Sequence, residues 1–116
     1  MSSDEPSIFT RIINREIPAQ IVFEDDRLIA ITDINPQAPV HLLVIPKTQQ
    51  YRDVGELAEA DPELLSQMVR VARSLAQDHA DGEFRLVFNS GAGAGQTVFH
   101  VHAHVLAGDL QESALV

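Results

Sequence analysis

Apolar residues recur at helical spacing in two parts of the chain, and each part predicts a helix. The first covers residues 7–17 and begins at Ser7, whose hydroxyl can cap the free backbone N–H groups of a first turn. The second covers about 62–80, because Asp61 can cap it and Pro62 suits its first helical position. One apolar stripe runs along this second helix: Leu64, Leu65, Met68, Val69, Ala72, Leu75 and Ala76.

Short apolar segments between turn residues predict the strands. Two of them, 21–23 and 28–31, flank a pair of aspartates and predict a hairpin. Residues 41–46 are apolar almost without interruption, which indicates a strand buried on both faces. Two further strands are predicted over 84–88 and 98–106. Helices and strands in this order predict an α+β fold with a mainly antiparallel sheet.

Three of the five histidines occupy alternate positions in the last predicted strand. Because successive side chains of a strand point to opposite faces, His100, His102 and His104 are expected to share one face. Val101 and Ala103 then face the other side and can pack against a helix. Three aligned histidines in so small a chain indicate a working site, and His102 is the best candidate for a nucleophile because it has a histidine on each side.

Two chemistries are open to histidines in this pattern. A neutral imidazole nitrogen can attack phosphorus while neighbouring imidazoles hold phosphate oxygens or donate a proton. Zinc is the alternative, since imidazole nitrogen binds it at about 2.0–2.1 Å. At about 3.4 Å per residue, His100 and His104 lie roughly 13–14 Å apart at the backbone. A metal would therefore take two of the three and need His41 or a carboxylate, so we expect no metal or other cofactor.

Residues 91–95, of sequence Gly-Ala-Gly-Ala-Gly, predict a flexible loop before the histidine strand. The loop is not a dinucleotide fingerprint, because Gln96 stands where a third glycine would fall, and it lacks the Gly-Lys-Ser/Thr ending of a P-loop. Small residues let a ligand approach the backbone closely. The hydroxyl of the following Thr97 can reach a phosphate, so we expect this loop to border the site.

The composition restricts partners and location. Seventeen acidic against eight basic residues give a net charge of −9, which argues against a nucleic acid or an anionic membrane as partner. A chain of 116 residues without cysteine, a basic leader or a membrane-length apolar run is expected to be one cytoplasmic domain. We expect an ordered core over about 7–108 and a short polar tail over 109–116.

The motifs together resemble the histidine triad (HIT) superfamily. Residues 100–106 match its signature of His, apolar, His, apolar, His, apolar, apolar. The likeness extends over roughly residues 7–108 to the Hint branch, the histidine triad nucleotide-binding proteins. The further matching segments are 8–13, 17–19, 23–26, 33–39, 41–47 and 95–99.

The resemblance implies a fold and an activity. The implied fold is a five-stranded antiparallel sheet with two helices, in a homodimer whose sheets join edge to edge into ten strands. The implied reaction converts purine nucleoside phosphoramidates, or acyl-nucleotides, to the nucleoside monophosphate through a nucleotidyl-histidine intermediate, without a metal. Hydrolysis of dinucleoside polyphosphates is an alternative. A nucleotide-binding or scaffold module with little turnover is another.

The resemblance also implies roles for individual residues. His102 matches the nucleophile, and the Gly95 carbonyl matches the acceptor that orients it. Other catalytic positions bind phosphate, assist proton transfer or carry a hydroxyl near the scissile bond, and they are matched by His41, His100, His104 and Thr97. Asp33 matches the carboxylate that binds the ribose hydroxyls. The remaining nucleotide-binding positions are matched by Ile8, Phe9, Ile12, Ile34, Asn35, Asn89, Gln96 and Thr97.

The C-terminal tail departs from the Hint pattern. Many Hint-branch proteins carry an aromatic residue there, which borders the partner subunit's site. Residues 108–116 contain no aromatic residue and two acidic ones. The resemblance therefore does not imply a preference for a particular leaving group.

Overall fold

Five antiparallel strands form the sheet of this protein, which a computed structural model describes over residues 5–111. Residues 112–116 of the predicted polar tail lie outside this range. The strands follow the order β1-β2-β3-β5-β4, and every neighbouring pair is antiparallel. The α+β class and the five-stranded sheet are confirmed. The elements are α1 (Ile8–Ile13), β1 (Ile21–Glu24), β2 (Leu28–Thr32), β3 (Val40–Pro46), α2 (Val54–Ala60), α3 (Pro62–His79), β4 (Arg85–Val87) and β5 (Ala103–Ala107).

Two apolar clusters cover opposite faces of the sheet. Leu42 and Val44 of β3 belong to the cluster that contains the buried residue of α2 and most of the buried residues of α3. Leu43 and Ile45 belong to the cluster under α1, as the alternation of side chains along a strand requires. Residues 41–46 are all buried. The prediction of a strand buried on both faces is confirmed.

Helix α3 forms where its sequence signals predicted it. The Asp61 side chain accepts a hydrogen bond from the backbone N–H of Leu64, and Pro62 begins the helix. The apolar stripe is narrower than predicted, because Val69 is 42% exposed. Within residues 5–111, no helix is long and apolar enough to cross a membrane.

Helix α1 is shorter than predicted. Ser7 caps it as expected, and its side chain accepts a hydrogen bond from the backbone N–H of Thr10. The helix ends at Ile13 and not at the proline five residues later. Arg15 adopts a left-handed backbone with φ of 64°. The backbone N–H of Glu16 then donates to the Arg11 carbonyl, which closes the helix before residue 17.

Two other elements differ from the sequence prediction. Helix α2 was not predicted, because it is only seven residues long and contains one buried residue, Leu57. The last strand begins at Ala103 and not at residue 98. The backbone N–H of Val101 donates to the carbonyl of Tyr51, in the loop before α2, at 3.0 Å. His100 and His102 therefore lie before the strand ladder and not within it.

Candidate active site

The triad imidazoles lie in a row on the α1 face of the sheet. The ring centroids of His102 and His104 are 5.2 Å apart, and those of His104 and His41 are also 5.2 Å apart. The ring of Phe9, from α1, stands edge-on to His102 at 4.8 Å and to His100 at 5.7 Å. The expected common face is thus present, although the regular strand contains only the third histidine of the triad.

One backbone carbonyl orients His102. Its Nδ1 lies 2.8 Å from the carbonyl oxygen of His100. A carbonyl only accepts hydrogen bonds, so the Nδ1 of the neutral ring carries the proton and Nε2 keeps its lone pair. Burial lowers the pKa of His102, which favours this neutral form. The resemblance assigned the acceptor role to the Gly95 carbonyl. That assignment is wrong, because the carbonyl two residues before His102 is the one within hydrogen-bond distance.

A backbone amide fixes the protons of the next two histidines. The N–H of Gln37 donates to His41 Nδ1 at 3.0 Å, so the proton of neutral His41 sits on Nε2. This Nε2 lies 2.9 Å from His104 Nδ1 and donates to it. The proton of His104 therefore sits on its own Nε2, where it can be donated to a ligand. Burial, followed by the effect of the neighbouring His102 and His41, lowers the pKa of His104 to about 4.

His100 has no ring nitrogen left for a ligand. It is 0% exposed, and its Nε2 donates to the Pro46 carbonyl at 2.6 Å. Its Nδ1 lies 2.6 Å from the hydroxyl oxygen of Ser7, which acts as the donor. Burial lowers the pKa of His100. The expectation that His100 binds phosphate directly is wrong. It is equally wrong for His41, which is buried and uses both ring nitrogens within the protein.

Asp33 combines a turn role with a place at the site. Its Oδ1 accepts a hydrogen bond from the backbone N–H of Asn35 at 2.8 Å, which is the turn chemistry that an aspartate in such a loop is expected to provide. Its Oδ2 lies 3.4 Å from His41 Nε2, and 18% of the side chain is exposed. The Oδ2 atom therefore remains accessible to a ligand at the histidine end of the loop.

Within residues 5–111, Asp33, His41 and His104 form a group that could hold a metal ion, because one ligand atom from each lies within 4.8 Å of the others. A metal on His41 Nε2 would force the imidazole proton onto Nδ1. That proton would then face the donor N–H of Gln37. The hydrogen-bond pattern therefore fits a chain of neutral imidazoles better than a metal centre.

The expected nucleotide-binding residues fall into two groups. Ile8 and Ile34 expose apolar side chains, 48% and 97% respectively, and can cover a ligand. Phe9 and Ile12 are buried in the cluster under α1, and the ring of Phe9 stands edge-on to His100 and His102. Asn35 is exposed in the loop after Asp33.

Another predicted residue, Asn89, follows the end of β4. Val87, the last residue of that strand, pairs with His104 in the antiparallel ladder. Asn89 lies two residues further along the chain and is half-buried. Thr97 is exposed and lines a surface groove together with Ile8.

The loop of residues 91–95 is held in place and does not form an irregular connection. Residues Ala92–Ala94 form a 3₁₀ turn between Gly91 and Gly95, whose φ angles of 93° and 95° favour glycine. The buried Gln96 accepts from the Gly91 N–H at 2.8 Å and donates to the carbonyls of Arg52 and Val98. The side-chain amide of Gln96 is therefore committed to the backbone, and the expected contact of Gln96 with a nucleotide could come only from its own backbone groups.

Several contacts at the site carried no sequence signal. The hydrogen bond from Ser7 to His100 joins residues 93 positions apart. The Gln37 contact involves a backbone amide, which every residue except proline provides. Such contacts depend on the assembled fold, and residue types alone do not reveal them.

Comparison with known proteins finds one matching family model and several relatives that are similar over most of the chain. Residues 6–115 match the model described as scavenger mRNA decapping enzyme C-term binding. The chain is 40% identical over 108 residues to the adenylylsulfatase HINT1 of Arabidopsis thaliana, covering 91% of this chain and 74% of the relative. It is also 40% identical over 107 residues to a 14 kDa zinc-binding protein of Zea mays, covering 90% and 84%.

The fold is also similar to solved structures. A HIT family hydrolase from Clostridium thermocellum superposes with a TM-score of 0.86 at 45% sequence identity. The match covers 92% of this chain and 95% of the other. The similarity in fold and in sequence therefore extends over nearly the whole length of both chains.

Proposed function

The chain belongs to the histidine triad (HIT) family of hydrolases, in its Hint-like branch, and from this premise we propose that it cleaves purine nucleoside phosphoramidates or acyl-nucleotides to the nucleoside monophosphate. The state of His102 is the observation that carries the proposal. Its Nδ1 proton is bound by the His100 carbonyl, its pKa is lowered by burial, and its Nε2 lone pair is free. A neutral, oriented imidazole nitrogen is the nucleophile that such a reaction requires.

The reaction proceeds in two displacements. In the first, His102 Nε2 forms a bond to phosphorus while the bond from phosphorus to the leaving nitrogen or oxygen breaks. The Nε2–H of His104 donates to a phosphate oxygen and stabilises the developing negative charge. The leaving group takes up a proton from water, for which the exposed Thr97 hydroxyl is a candidate relay. In the second displacement, a water molecule attacks phosphorus and gives its proton to the hydroxide left by the first step. The bond from phosphorus to His102 Nε2 breaks, and the nucleoside monophosphate is released.

The nucleoside part of the substrate is assigned to the two loops and the helix around the triad. Asp33 Oδ2 is positioned to accept hydrogen bonds from ribose hydroxyls, and the exposed side chains of Ile8 and Ile34 can pack against a base. These contacts are remote from phosphorus. They hold the substrate in the ground state and in the transition state alike.

A substrate panel tests the proposal. Turnover of an adenosine phosphoramidate, an acyl-adenylate, adenylyl sulfate and a diadenosine polyphosphate would be measured with the purified protein. Adenylyl sulfate is included because a relative is an adenylylsulfatase. We expect the phosphoramidate or the acyl-adenylate to have the largest kcat/KM. A preference for the diadenosine polyphosphate would identify the other HIT activity, and nucleotide binding without any turnover would identify a binding module.

The proposed assembly is a homodimer joined through the edge of the sheet. Strand β4 is three residues long and lies at the end of the strand order. Its outer backbone groups have no strand neighbour within residues 5–111, and such an edge is normally covered. Pairing of two copies at this edge would produce the ten-stranded sheet that the resemblance implies.

Zinc binding is the second candidate function, because a relative in maize is named for it and because Asp33, His41 and His104 lie close together. The hydrogen bond from the Gln37 N–H weighs against zinc binding, because it requires an unprotonated Nδ1 on His41 and so leaves the proton on the Nε2 that the metal would need. We therefore keep the metal-free hydrolase as the main proposal.

A further inference from the structure

A serine far from the triad in sequence holds the first triad histidine. The Ser7 hydroxyl oxygen lies 2.6 Å from His100 Nδ1, and the opposite nitrogen of this ring donates to the Pro46 carbonyl. Because Nε2 must donate to the carbonyl, Nδ1 is an acceptor and Ser7 is its donor. The ring is thus fixed at both nitrogens, in a site where it is 0% exposed.

A glutamine fixes Ser7 in turn. Gln49, in the loop after β3, accepts the backbone N–H of Ser7 at 2.8 Å and the hydroxyl of Thr10 at 2.6 Å through one oxygen. Its Nε2 donates to the carbonyl of Glu5 at 2.8 Å. The start of α1 is therefore tied to the end of β3, and Ser7 has little freedom to move relative to His100.

The backbone carbonyl of His100 is the acceptor that orients His102. A shift of His100 would therefore move that carbonyl and change the direction of His102 Nε2. We propose that Ser7 is a positioning residue for the reaction, which sets the direction of the nucleophile through its hydrogen bond to His100. This proposal rests on the proposed function, in which His102 attacks phosphorus.

The same helix also presents residues to the nucleotide. Ile8 and Phe9 directly follow Ser7, and Phe9 stands edge-on to both His100 and His102. Helix α1 thus contacts His100 through the hydrogen bond of its cap residue, and it contacts both His100 and His102 through the ring of Phe9 in its first turn. A displacement of α1 would therefore change the position of the nucleophile relative to phosphorus as well as the position of the residues that pack against the base.

Four variants separate positioning from a general loss of stability. Ser7→Ala removes both the cap and the donor to His100. Ser7→Gly removes the donor but keeps a residue that is nearly as good as serine at an N-cap. Ser7→Thr restores the hydroxyl and serves as the rescue. Asp61→Ala is the matched control, because it removes the side-chain cap of α3 on the opposite face of the sheet.

The readouts are kcat and KM for an adenosine phosphoramidate, the Kd for adenosine monophosphate, and the ¹⁵N chemical shifts of the His102 ring. We expect Ser7→Ala and Ser7→Gly to lower kcat on the order of 10- to 100-fold, as small misplacements of reacting groups do, with a smaller change in Kd. Their ¹⁵N spectra should show loss of the single Nδ1–H form of His102. Ser7→Thr and Asp61→Ala should keep kcat and the spectrum of the wild type.

Two results would overturn the proposal. One is a kcat within about threefold of wild type for both Ser7→Ala and Ser7→Gly, since misplacement of a nucleophile costs more than that. The other is an unchanged His102 spectrum in both variants. The spectrum is measured without turnover, so it tests the positioning role even if the wild type cleaves none of the proposed substrates. A wild type that cleaves none of the proposed substrates would overturn the proposed function alone.

Discussion

The Nε2 atom of His41 lies 2.9 Å from Nδ1 of His104, and this contact decides which nitrogen of His104 faces the ligand. His41 receives its own orientation from the Gln37 N–H. The Gln37 N–H thereby determines which nitrogen carries the proton in both rings: directly in His41, and through His41 in His104. His41 acts through His104 and not on the substrate.

A double-mutant cycle tests this coupling. His104→Ala should lower kcat about 10²- to 10³-fold, as loss of one preorganised donor to a developing charge does. His41→Ala should lower kcat by a smaller factor, because His104 remains but loses its fixed proton. The double variant should be little worse than His104→Ala alone, since both changes remove one function. His41→Gln is the matched control, because its amide can still donate to His104. Additive losses in the double variant would contradict the coupling.

Replacement of the nucleophile should have the largest effect. His102→Ala should lose turnover by several orders of magnitude and keep most of its affinity for adenosine monophosphate, since the remote contacts of Asp33 and Ile8 are unchanged. Calorimetry and kinetics on the same preparation would measure both. With a phosphorus centre made chiral by sulfur, two displacements should give net retention of configuration. Net inversion would show direct attack by water.

Stability should fall as the pH is lowered from 7 to 5. The pKa of His104 is about 4 in the folded protein against 6.5 for a free histidine, so the unfolded chain binds more protons in this range. The free energy of unfolding therefore decreases, by up to about 2 kcal/mol from His104 alone. Urea unfolding at the two pH values would measure this. His104→Gln should reduce the decrease, whereas the control His79→Gln, at an exposed histidine, should not. An equal decrease in the wild type, His104→Gln and His79→Gln would show that the lowered pKa of His104 is not the cause.

Chelation should leave turnover unchanged. The Gln37 N–H donates to His41 Nδ1 and keeps it unprotonated. The proton of neutral His41 therefore occupies Nε2, which disfavours metal binding at that nitrogen. Activity would be compared before and after EDTA, with elemental analysis of the same sample. Loss of turnover in EDTA that zinc restores would revive the metal site formed by Asp33, His41 and His104.

The protein should sediment as a dimer at micromolar concentration. Among residues 5–111, no strand pairs with the outer side of β4 (Arg85–Val87). Leu86→Pro removes one backbone donor from this strand, so it should weaken any pairing between copies. Ile21→Pro, at the opposite edge strand β1, is the matched control. A wild-type protein that sediments as a monomer would contradict the proposed assembly.

Local signals predicted the elements that depend on neighbours in sequence. Helix α3 has its cap at Asp61 and its proline at position 62, as predicted, because capping involves residues only three positions apart. The start of β5 could not be predicted in this way. It depends on a hydrogen bond between Val101 and Tyr51, which are fifty positions apart, and the alternating pattern continues upstream of it.

The site shows the same division. The histidine pattern predicted a common face for the triad, which the structure shows. The role of His102 as the nucleophile stays a prediction. The pattern did not predict that His100 is fully buried, because alternation assigns a face but not the depth of a side chain. The acceptor for His102 was misassigned for a related reason: Gly95 is close in sequence, but the geometry of the backbone before β5 brings the His100 carbonyl to the ring.

The hydrogen bonds of Gln96 to the loop of residues 91–95 also affect the entropy of binding. Fixing the backbone of one residue costs roughly 1–2 kcal/mol in conformational entropy, and glycine loses the most freedom of all residues. Here the loop is ordered by contacts with Gly91, Arg52 and Val98 that form when the chain folds. A phosphate that binds beside the loop does not have to order it. A mobile loop with the same contacts to the ligand would bind that phosphate more weakly, because part of the interaction energy would be offset by the ordering of its glycines.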